Sequence, residues 1–363
     1  MKKGWTYKKL GEVCDLYQPK TISTKEMVAD GKYDVFGANG VIGKYNQYNH
    51  EQSEVLMTCR GATCGNINVS TPKSWINGNA MVIHIKDNSI LIKPYLVYAL
   101  SHIDKSHIIT GAAQPQITRQ TLSPLCLSYP SISEQQRIVS RLDAAFAHID
   151  ELKANAEKQL SEARALFQKA LSKAMEPKEG WEEKTLKDIC KVINGRAYAK
   201  DEMLNKGKYR LLRVGNFFTN DKWYYSDLEL EDDKYCDNGD LLYAWSASFG
   251  PKIWKGEKVI YHYHIWKMLC SSEVDKYFMF YWLDSDELKK QTMSNLHGAT
   301  MAHITKGIIE ASKVTIPPLS EQRRIVARLD SLSAHVRELE EISKKTIAEC
   351  DALKQALLRK VFE

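Results

Sequence analysis

The residues of this 363-residue chain best suited to chemistry are hydrogen-bonding side chains placed between short apolar runs. The chemistry they suit is the reading of nucleic-acid base edges. Arg and Lys can hold guanine through two acceptors, Asn and Gln can hold adenine, and Thr or Ala can touch a thymine methyl. Loops of the first half offer Asn39, Arg60, Asn66, Asn68, Asn77, Asn79, Gln114, Gln116 and Arg119. Loops of the second offer Arg213, Asn216, Trp245, Ser246, Ser248, Lys252, His262, His264, His303 and Lys306.

Catalytic chemistry has fewer candidates. There is no Gly-x-x-x-x-Gly-Lys-Ser/Thr loop, no Gly-x-Gly-x-x-Gly after a strand and no His-Glu-x-x-His. An Asn/Asp-Pro-Pro-Phe/Tyr tetrapeptide of the amino-methyltransferase kind is also missing, since Pro317-Pro318 follows Ile316 and precedes Leu319. His262 and His264, with His297 and His303, could in principle converge on a metal. Strand alternation would put His262 and His264 on one face, but a repeat sets Asn77 and Asn79 opposite them, so polar readers in both halves explain the pattern better. Glu229, Glu231, Asp232, Asp233 and Lys234 form a charge run of the kind usually found in solvated loops.

These loops must be positioned by a frame that the chain writes twice. Ser133-Glu134-Gln135-Gln136-Arg137-Ile138-Val139-Ser140-Arg141-Leu142-Asp143 returns as Ser320-Glu321-Gln322-Arg323-Arg324-Ile325-Val326-Ala327-Arg328-Leu329-Asp330. Each copy opens as a helix does, with proline upstream, a serine able to cap and a glutamate in the first turn. No Gly or Pro then follows until Pro177 in the first copy, and none at all in the second. Ile138, Leu142, Ala145, Ile149, Leu152 and Ala156 alternate spacings of four and three, and Leu160, Ala163, Phe167, Ala170 and Ala174 resume after a shift. Ile325, Leu329, Leu332, Val336, Leu339, Ile347, Cys350, Leu357 and Val361 answer them. This is a heptad seam with one stutter. A helix of ~40 residues is roughly 60 Å long, too long to bury its stripe in one small domain, and its simplest partner is its twin.

The repeat extends through the rest of the chain. Gly4-Trp5 returns as Gly180-Trp181, Gly31-Lys32-Tyr33 as Gly207-Lys208-Tyr209, and Gly111-Ala112 with Ile117-Thr118-Arg119 as Gly298-Ala299 with Ile304-Thr305-Lys306. The match is close at the ends of each half and loose in the middle, so the copies differ most where reading would require it. Runs such as Val55–Met57, Ala80–Ile85, Asp240–Trp245 and Lys258–Tyr261 predict strands; Ile92–Ser101 and Asp275–Lys290 predict helices. The fold class expected is mixed α/β.

With 44% hydrophobic and 26% charged residues the chain has ample core for two or more domains. No apolar run approaches the ~20 residues of a membrane span, and no apolar segment follows the basic start at Lys2 and Lys3, so a cytoplasmic location is expected. Its eight scattered cysteines, with no Cys-x-x-Cys, read as reduced thiols. The net charge of +6 comes almost wholly from residues 1–130, with 14 basic against 9 acidic residues, a balance that permits nucleic-acid binding without requiring it.

The paired Ser-Glu-Gln-x-Arg-Ile-Val-x-Arg-Leu-Asp helices, each preceded by Gly-Ala-x-x-x-x-Ile-Thr-Arg/Lys, and the Gly-Trp opening of each half resemble the DNA-specificity (S) subunit of type I restriction-modification systems, a host-defence machinery. The resemblance covers the whole chain. It implies two target recognition domains, residues 1–130 and 177–317, and two long helices, residues 131–176 and 318–363. The helices would form an antiparallel coiled coil and make the halves pseudo-two-fold symmetric. Each domain would read one part of a split, asymmetric site in double-stranded DNA, with the coiled coil setting the gap. It further implies a non-catalytic subunit without cofactors, recruiting two methylation subunits that bind S-adenosylmethionine and two restriction subunits that hydrolyse ATP with Mg2+. Glu134, Arg137, Arg141, Glu321, Arg324 and Arg328 would belong to the frame that the methylation subunits grip. The exposed grip surface of an isolated chain would call on those partners, or on a second copy, for cover. The competing readings are a self-contained DNA methyltransferase or nuclease, and a coiled-coil adaptor that binds only protein.

Overall fold

Gly4 and Gly180 both adopt left-handed backbone, with φ of +81° and +82°, which explains why each half opens on glycine before its tryptophan. The computed structural model describes residues 2–111, 114–218, 220–246, 248–293 and 304–363. It divides into two compact units, residues 1–156 with 344–363, and residues 157–343.

The first unit runs β1 (Thr6–Lys9), α1 (Leu10–Val13), β2 (Cys14–Tyr17), β3 (Tyr33–Gly37), β4 (Gly40–Tyr45), β5 (Val55–Thr58), β6 (Ile67–Val69), β7 (Trp75–Ile76), β8 (Ala80–Ile85), α2 (Lys93–His102), α3 (Arg119–Leu122), β9 (Cys126–Tyr129) and the start of α4 (Ile132–Ala174). An antiparallel sheet has the order β2-β8-β5-β6, a smaller sheet the order β4-β3-β7 with β3 parallel to β7, and β1 pairs with β9. All four residues of β5 are fully buried, as expected of an unbroken apolar strand in a sheet interior.

The second unit repeats this plan. After the end of α4 come β10 (Glu182–Thr185), α5 (Leu186–Ile189), β11 (Cys190–Asn194), β12 (Tyr209–Leu212), α6 (Val214–Phe218), β13 (Tyr224–Ser226), β14 (Tyr235–Cys236), β15 (Leu241–Ser246), β16 (Ser248–Ile253), β17 (Val259–Tyr261), β18 (Ile265–Cys270), α7 (Lys276–Asp284), α8 (Asp286–Met293), α9 (Lys306–Glu310), β19 (Lys313–Ile316) and α10 (Leu319–Phe362). The sheet β11-β18-β15-β16 matches β2-β8-β5-β6, and β10-β19 matches β1-β9. The sheet β13-β12-β17 matches β4-β3-β7 and gains β14. The fold is thus mixed α/β and duplicated.

The elements expected around Asp275–Lys290 and at His262 and His264 need correction. The helix expected over Asp275–Lys290 is two, because Ser285 is extended (φ −74°, ψ 158°). Its amide and hydroxyl both turn back to the Trp282 carbonyl, at 3.1 and 2.7 Å, a local bond that competes with helix continuation. His262 and His264 lie not on a strand but in the turn between β17 and β18, closed by the Ile265 amide donating to the His262 carbonyl at 2.9 Å. Asn77 and Asn79 occupy the same turn between β7 and β8, closed by the Ala80 amide on Asn77 at 3.0 Å.

Both long helices form, and within each unit they run antiparallel. In the first unit Lys153 meets Asp351 at 3.1 Å and Lys354 meets Asp150 at 2.5 Å; in the second Arg164 meets Glu340 at 2.6 Å. Partners rise in number on one helix as they fall on the other. Exposed pairs of this kind fix register more than they stabilise. Ile138, Leu142 and Leu358 join the first core, and Leu171, Ile325 and Leu329 the second. The heptad reading erred at Leu152, which is 56% exposed, while Leu357 packs half-buried against the first core beside the buried Leu358.

The repeated glutamine of each frame motif is fully buried and holds each helix to its domain. Gln135 accepts from the Ile92 amide at 3.0 Å and donates to the Ile90 and Pro130 carbonyls at 2.8 and 2.9 Å. Gln322 accepts from the Asp275 amide at 2.7 Å and donates to the Glu273 and Pro317 carbonyls at 2.9 and 2.8 Å. Satisfying buried main-chain groups makes each amide a mount for the helix start.

Candidate nucleic-acid interface

In the first unit the candidates gather on the β5–β6 hairpin and the strand-like segment that crosses it. Gly61 and Gly65, with φ of +88° and +92°, turn the hairpin tightly. Its base is clasped by the Gly61 amide on the Pro115 carbonyl at 3.0 Å and the Ile117 amide on the Cys59 carbonyl at 2.9 Å. Arg60 and Gln116 therefore stand opposite each other, both exposed, with exposed Gln114 two residues along. Gly111 allows this crossing, since a Cβ there would lie 2.4 Å from the Gln114 carbonyl oxygen.

Asn39 and Asn68 brace the adjoining rim. Asn39 donates to the Thr63 hydroxyl at 2.6 Å and accepts from Thr58 at 3.0 Å, while Asn68 donates to the Ala38 carbonyl at 3.0 Å. Together with Asn66 they line an open cleft of about 850 Å³ that Lys105 also borders. Lys105 caps the end of α2 by donating to the Leu100 and Ile103 carbonyls at 2.6 and 2.9 Å. Asn79 is exposed in its turn and Arg119 is exposed in the first turn of α3. Asn77 is not available as a reader. It is 3% exposed, and its amide holds Ile22 through both main-chain groups, at 2.9 and 3.1 Å, so its polarity serves the fold.

In the second unit Arg213, Asn216, His262 and His264 converge on one concave site of about 210 Å³. The base of the site is built by α6 and the β17–β18 turn. Asn216 spends its amide on the Asn220 and Lys222 carbonyls, at 2.9 and 2.8 Å, shaping the loop. The Arg213 guanidinium lies 5.4 Å from the Tyr224 ring centroid. The imidazoles of His262 and His264 are 4.8 Å apart, and the Trp245 ring sits 5.1 Å from His264 while donating to the Tyr263 carbonyl at 2.8 Å. Burial, then the charges of His264 and Arg213, pushes His262 down to about 4. It is therefore neutral near pH 7, with one ring nitrogen donating and one accepting.

The remaining candidates separate. Ser246 is 3% exposed and faces inward, whereas Ser248, opposite it across the hairpin, is exposed. Lys252 turns away from the histidines, donating to the Phe217 carbonyl at 2.5 Å beneath a second cleft lined by Tyr277, Tyr281 and Arg337. Burial holds its ammonium below the usual lysine value. Lys306 is exposed at the start of α9 and pairs with Glu310 at 3.5 Å. His303 lies outside the described residues.

Sequence reasoning missed Arg196. It is held by Glu202 at 2.6 Å, covers Tyr198 at 5.1 Å and bridges main chain with His262. Its signal was the preceding Gly195, where a Cβ would lie 2.4 Å from the His262 carbonyl oxygen. Among the described residues no group of three or more His, Cys, Asp or Glu gathers as a metal site. No described helix is long and apolar enough to cross a membrane.

On the frame, Glu134 holds Arg137 at 2.7 Å, and Glu321 holds Arg324 at 3.0 Å and Lys178 at 3.6 Å. Arg141 and Arg328 are exposed.

Residues 2–162 and 178–349 each match the family described as Type I restriction modification DNA specificity domain. The putative type I restriction enzyme specificity subunit S.HindORF215P of Haemophilus influenzae is 24% identical, over 92% of this chain and 89% of its own. The EcoDI specificity subunit of Escherichia coli is 22% identical, over 99% of this chain and 88% of its own. A chain from a solved structure concerned with complex assembly and conformational transition of the type I R-M system superposes with a TM-score of 0.78 at 19% identity, covering 100% of this chain and 98% of that one. With both halves matched and the frame motif in each, the chain belongs to the type I restriction-modification DNA specificity family, whose members recognise sequence and leave catalysis to others.

Proposed function

We propose that each unit reads one part of a bipartite, asymmetric DNA site, the first through Arg60, Gln114 and Gln116 and the second through Arg213, His262 and His264. The observation that supports this reading most strongly is a shared frame with different contents. The same turn presents Asn79 in one unit and His262 and His264 in the other, while the surrounding sheet order is kept.

Partners follow from the helices. Leu152 and Leu353 in the first unit, and Leu166 and Ile342 in the second, are 56, 49, 67 and 53% exposed. Apolar side chains standing out from a charged helical surface suit a protein partner, and we assign them to methylation subunits, one per unit. Restriction subunits would join the full complex. S-adenosylmethionine, ATP and Mg2+ would reside on those partners, with no cofactor on this chain.

The test is co-expression with a methylation subunit followed by mapping of methylated adenines in the host genome. A split motif of two fixed half-sites is expected, and exchange of residues 177–317 for those of a relative should change one half only. Methylation or cleavage by the purified chain alone would establish an enzyme instead. A stable complex that leaves the genome unmethylated would favour an adaptor.

A further inference from the structure

β11 and β18 pair antiparallel with Cys190 directly opposite Cys270, and the two thiols lie within hydrogen-bonding reach. Opposed residues in such a pair have Cα atoms about 4.5–5.5 Å apart, inside the roughly 4.4–6.8 Å that a disulfide spans. In the other strand registers that include cysteine, Cys14 faces Ile85, Cys126 faces Lys9 and Cys236 faces Val259. Among these strand registers, only that of the second unit sets two cysteines opposite each other. Cys190 is 3% exposed, while Cys270 is half-buried at the strand end.

We propose that Cys190 and Cys270 form an oxidisable cross-strand dithiol, a reversible modification site that a peroxide closes to a disulfide. The two sulfurs have different roles. The neighbouring Cys270 sulfur and burial push the Cys190 thiol up, so that it keeps its proton, whereas contact with Cys190 draws the Cys270 thiol below its usual value. The more accessible sulfur is also the better nucleophile, because the thiolate is the reactive form.

The Cys270 thiolate attacks a peroxide oxygen; the O–O bond breaks, hydroxide leaves and is protonated to water, and Cys270 becomes a sulfenic acid. The Cys190 sulfur then attacks the Cys270 sulfur. The S–O bond breaks and the oxygen departs as a second water, taking the Cys190 proton. Two thiols together lose two electrons, and one peroxide gains them. A cytosolic reducing pool would reopen the bond, so the link would be transient.

The bond would act at the helix mount rather than at the reading site. Next to Cys270, the Ser271 amide donates to the Ile189 carbonyl at 2.8 Å, and Glu273 and Asp275 are the residues that Gln322 grips. Closing the dithiol would tie the start of β11 to this mounted segment.

The full-length chain is treated with hydrogen peroxide, remaining thiols are blocked with iodoacetamide, and unreduced peptides are mapped by mass. A peptide linking Cys190 to Cys270 is expected, lighter by two hydrogens and released by dithiothreitol, with alkylation of both thiols falling together. Cys190→Ser should leave a dimedone-reactive sulfenic acid on Cys270, whereas Cys236→Ser should change nothing. The proposal is overturned if Cys270 alkylates equally with and without peroxide in the folded wild-type chain. It is equally overturned if Cys270 passes to sulfinic acid without linking, or links to a different cysteine.

Discussion

The Tyr281 hydroxyl donates to the Asp330 carboxylate at 2.7 Å, and Tyr98 makes the same bond to Asp143 at 2.5 Å. The aspartate that closes each frame motif therefore ties its long helix to the helix lying behind the sheet, in both units. Burial, then the neighbouring carboxylate, raises the ionisation of both tyrosines, so the hydroxyls stay protonated throughout the physiological range. Tyr281→Phe should cost about 0.5–1.5 kcal/mol of stability. In a double-mutant cycle with Asp330→Ala, the second substitution should add little once the first is made. Fully additive losses in urea titrations would show that the two groups act independently.

Removing a mount should be more severe. Gln322→Ala leaves the Asp275 amide and the Glu273 and Pro317 carbonyls without their side-chain partner. At about 1–3 kcal/mol per unsatisfied buried group, partly relieved by entering water, a loss of roughly 2–4 kcal/mol is expected. Gln135→Ala should behave alike. Hydrogen exchange of the segment around Asp275, compared with that around Ile92, reports which unit has loosened.

Arg60→Ala and Arg213→Ala should each weaken binding to the cognate site by roughly 1–3 kcal/mol if the guanidinium holds a base through two bonds. Each should relax specificity in one half-site only. Equal weakening on scrambled DNA, measured by fluorescence anisotropy at fixed salt, would make either residue a phosphate contact. Asn77→Ala should instead lower stability with no selective effect on either half-site.

His262 gives a pH dependence whose sign is fixed by its depressed value. Folded, it titrates near 4, against about 6.5 when unfolded. The unfolded chain therefore binds more protons between those values, so stability is full above pH 6.5 and falls as pH drops towards 4. The whole interval corresponds to at most about 3 kcal/mol, and partial exposure reduces it. The melting temperature of the wild type should decline relative to His262→Gln over that range. Parallel curves would place the titration elsewhere.

Leu166→Asp should leave folding intact, because the side chain is 67% exposed, yet impair assembly with a methylation subunit. A loss of roughly 1–3 kcal/mol in affinity is expected of a buried interface anchor. Unchanged co-purification, with Leu152→Asp equally silent, would move the docking surface away from these helices.

Much of this architecture was legible in the residues. Gly4 and Gly180, the paired frame motifs and the apolar run at Val55 announced a duplicated α/β chain, because backbone geometry and burial constrain those positions directly. The convergence of Arg213, Asn216, His262 and His264 was legible only as a list. Their meeting depends on the parallel pairing of β12 with β17, a long-range contact that no local pattern encodes. The roles of Gln135 and Gln322 were hidden for another reason. A glutamine on a charged helix reads as surface, and only the path of the neighbouring chain makes it interior. Asn77 erred in the same direction, since its partner at Ile22 is remote in sequence.

The two mounts also bear on how such a chain changes over generations. Gln135 and Gln322 hydrogen-bond to their domains through main-chain atoms, at Ile90, Ile92 and Pro130 in one unit and at Glu273, Asp275 and Pro317 in the other. A fastening made of peptide groups is blind to the side chains it holds. Recombination can therefore exchange a reading module for a foreign one without retuning the joint, provided the incoming backbone follows the same path. The one residue it refuses is proline at position 92 or 275, where the fastening takes an amide hydrogen. Novelty in recognition and conservatism in assembly are thereby inherited separately.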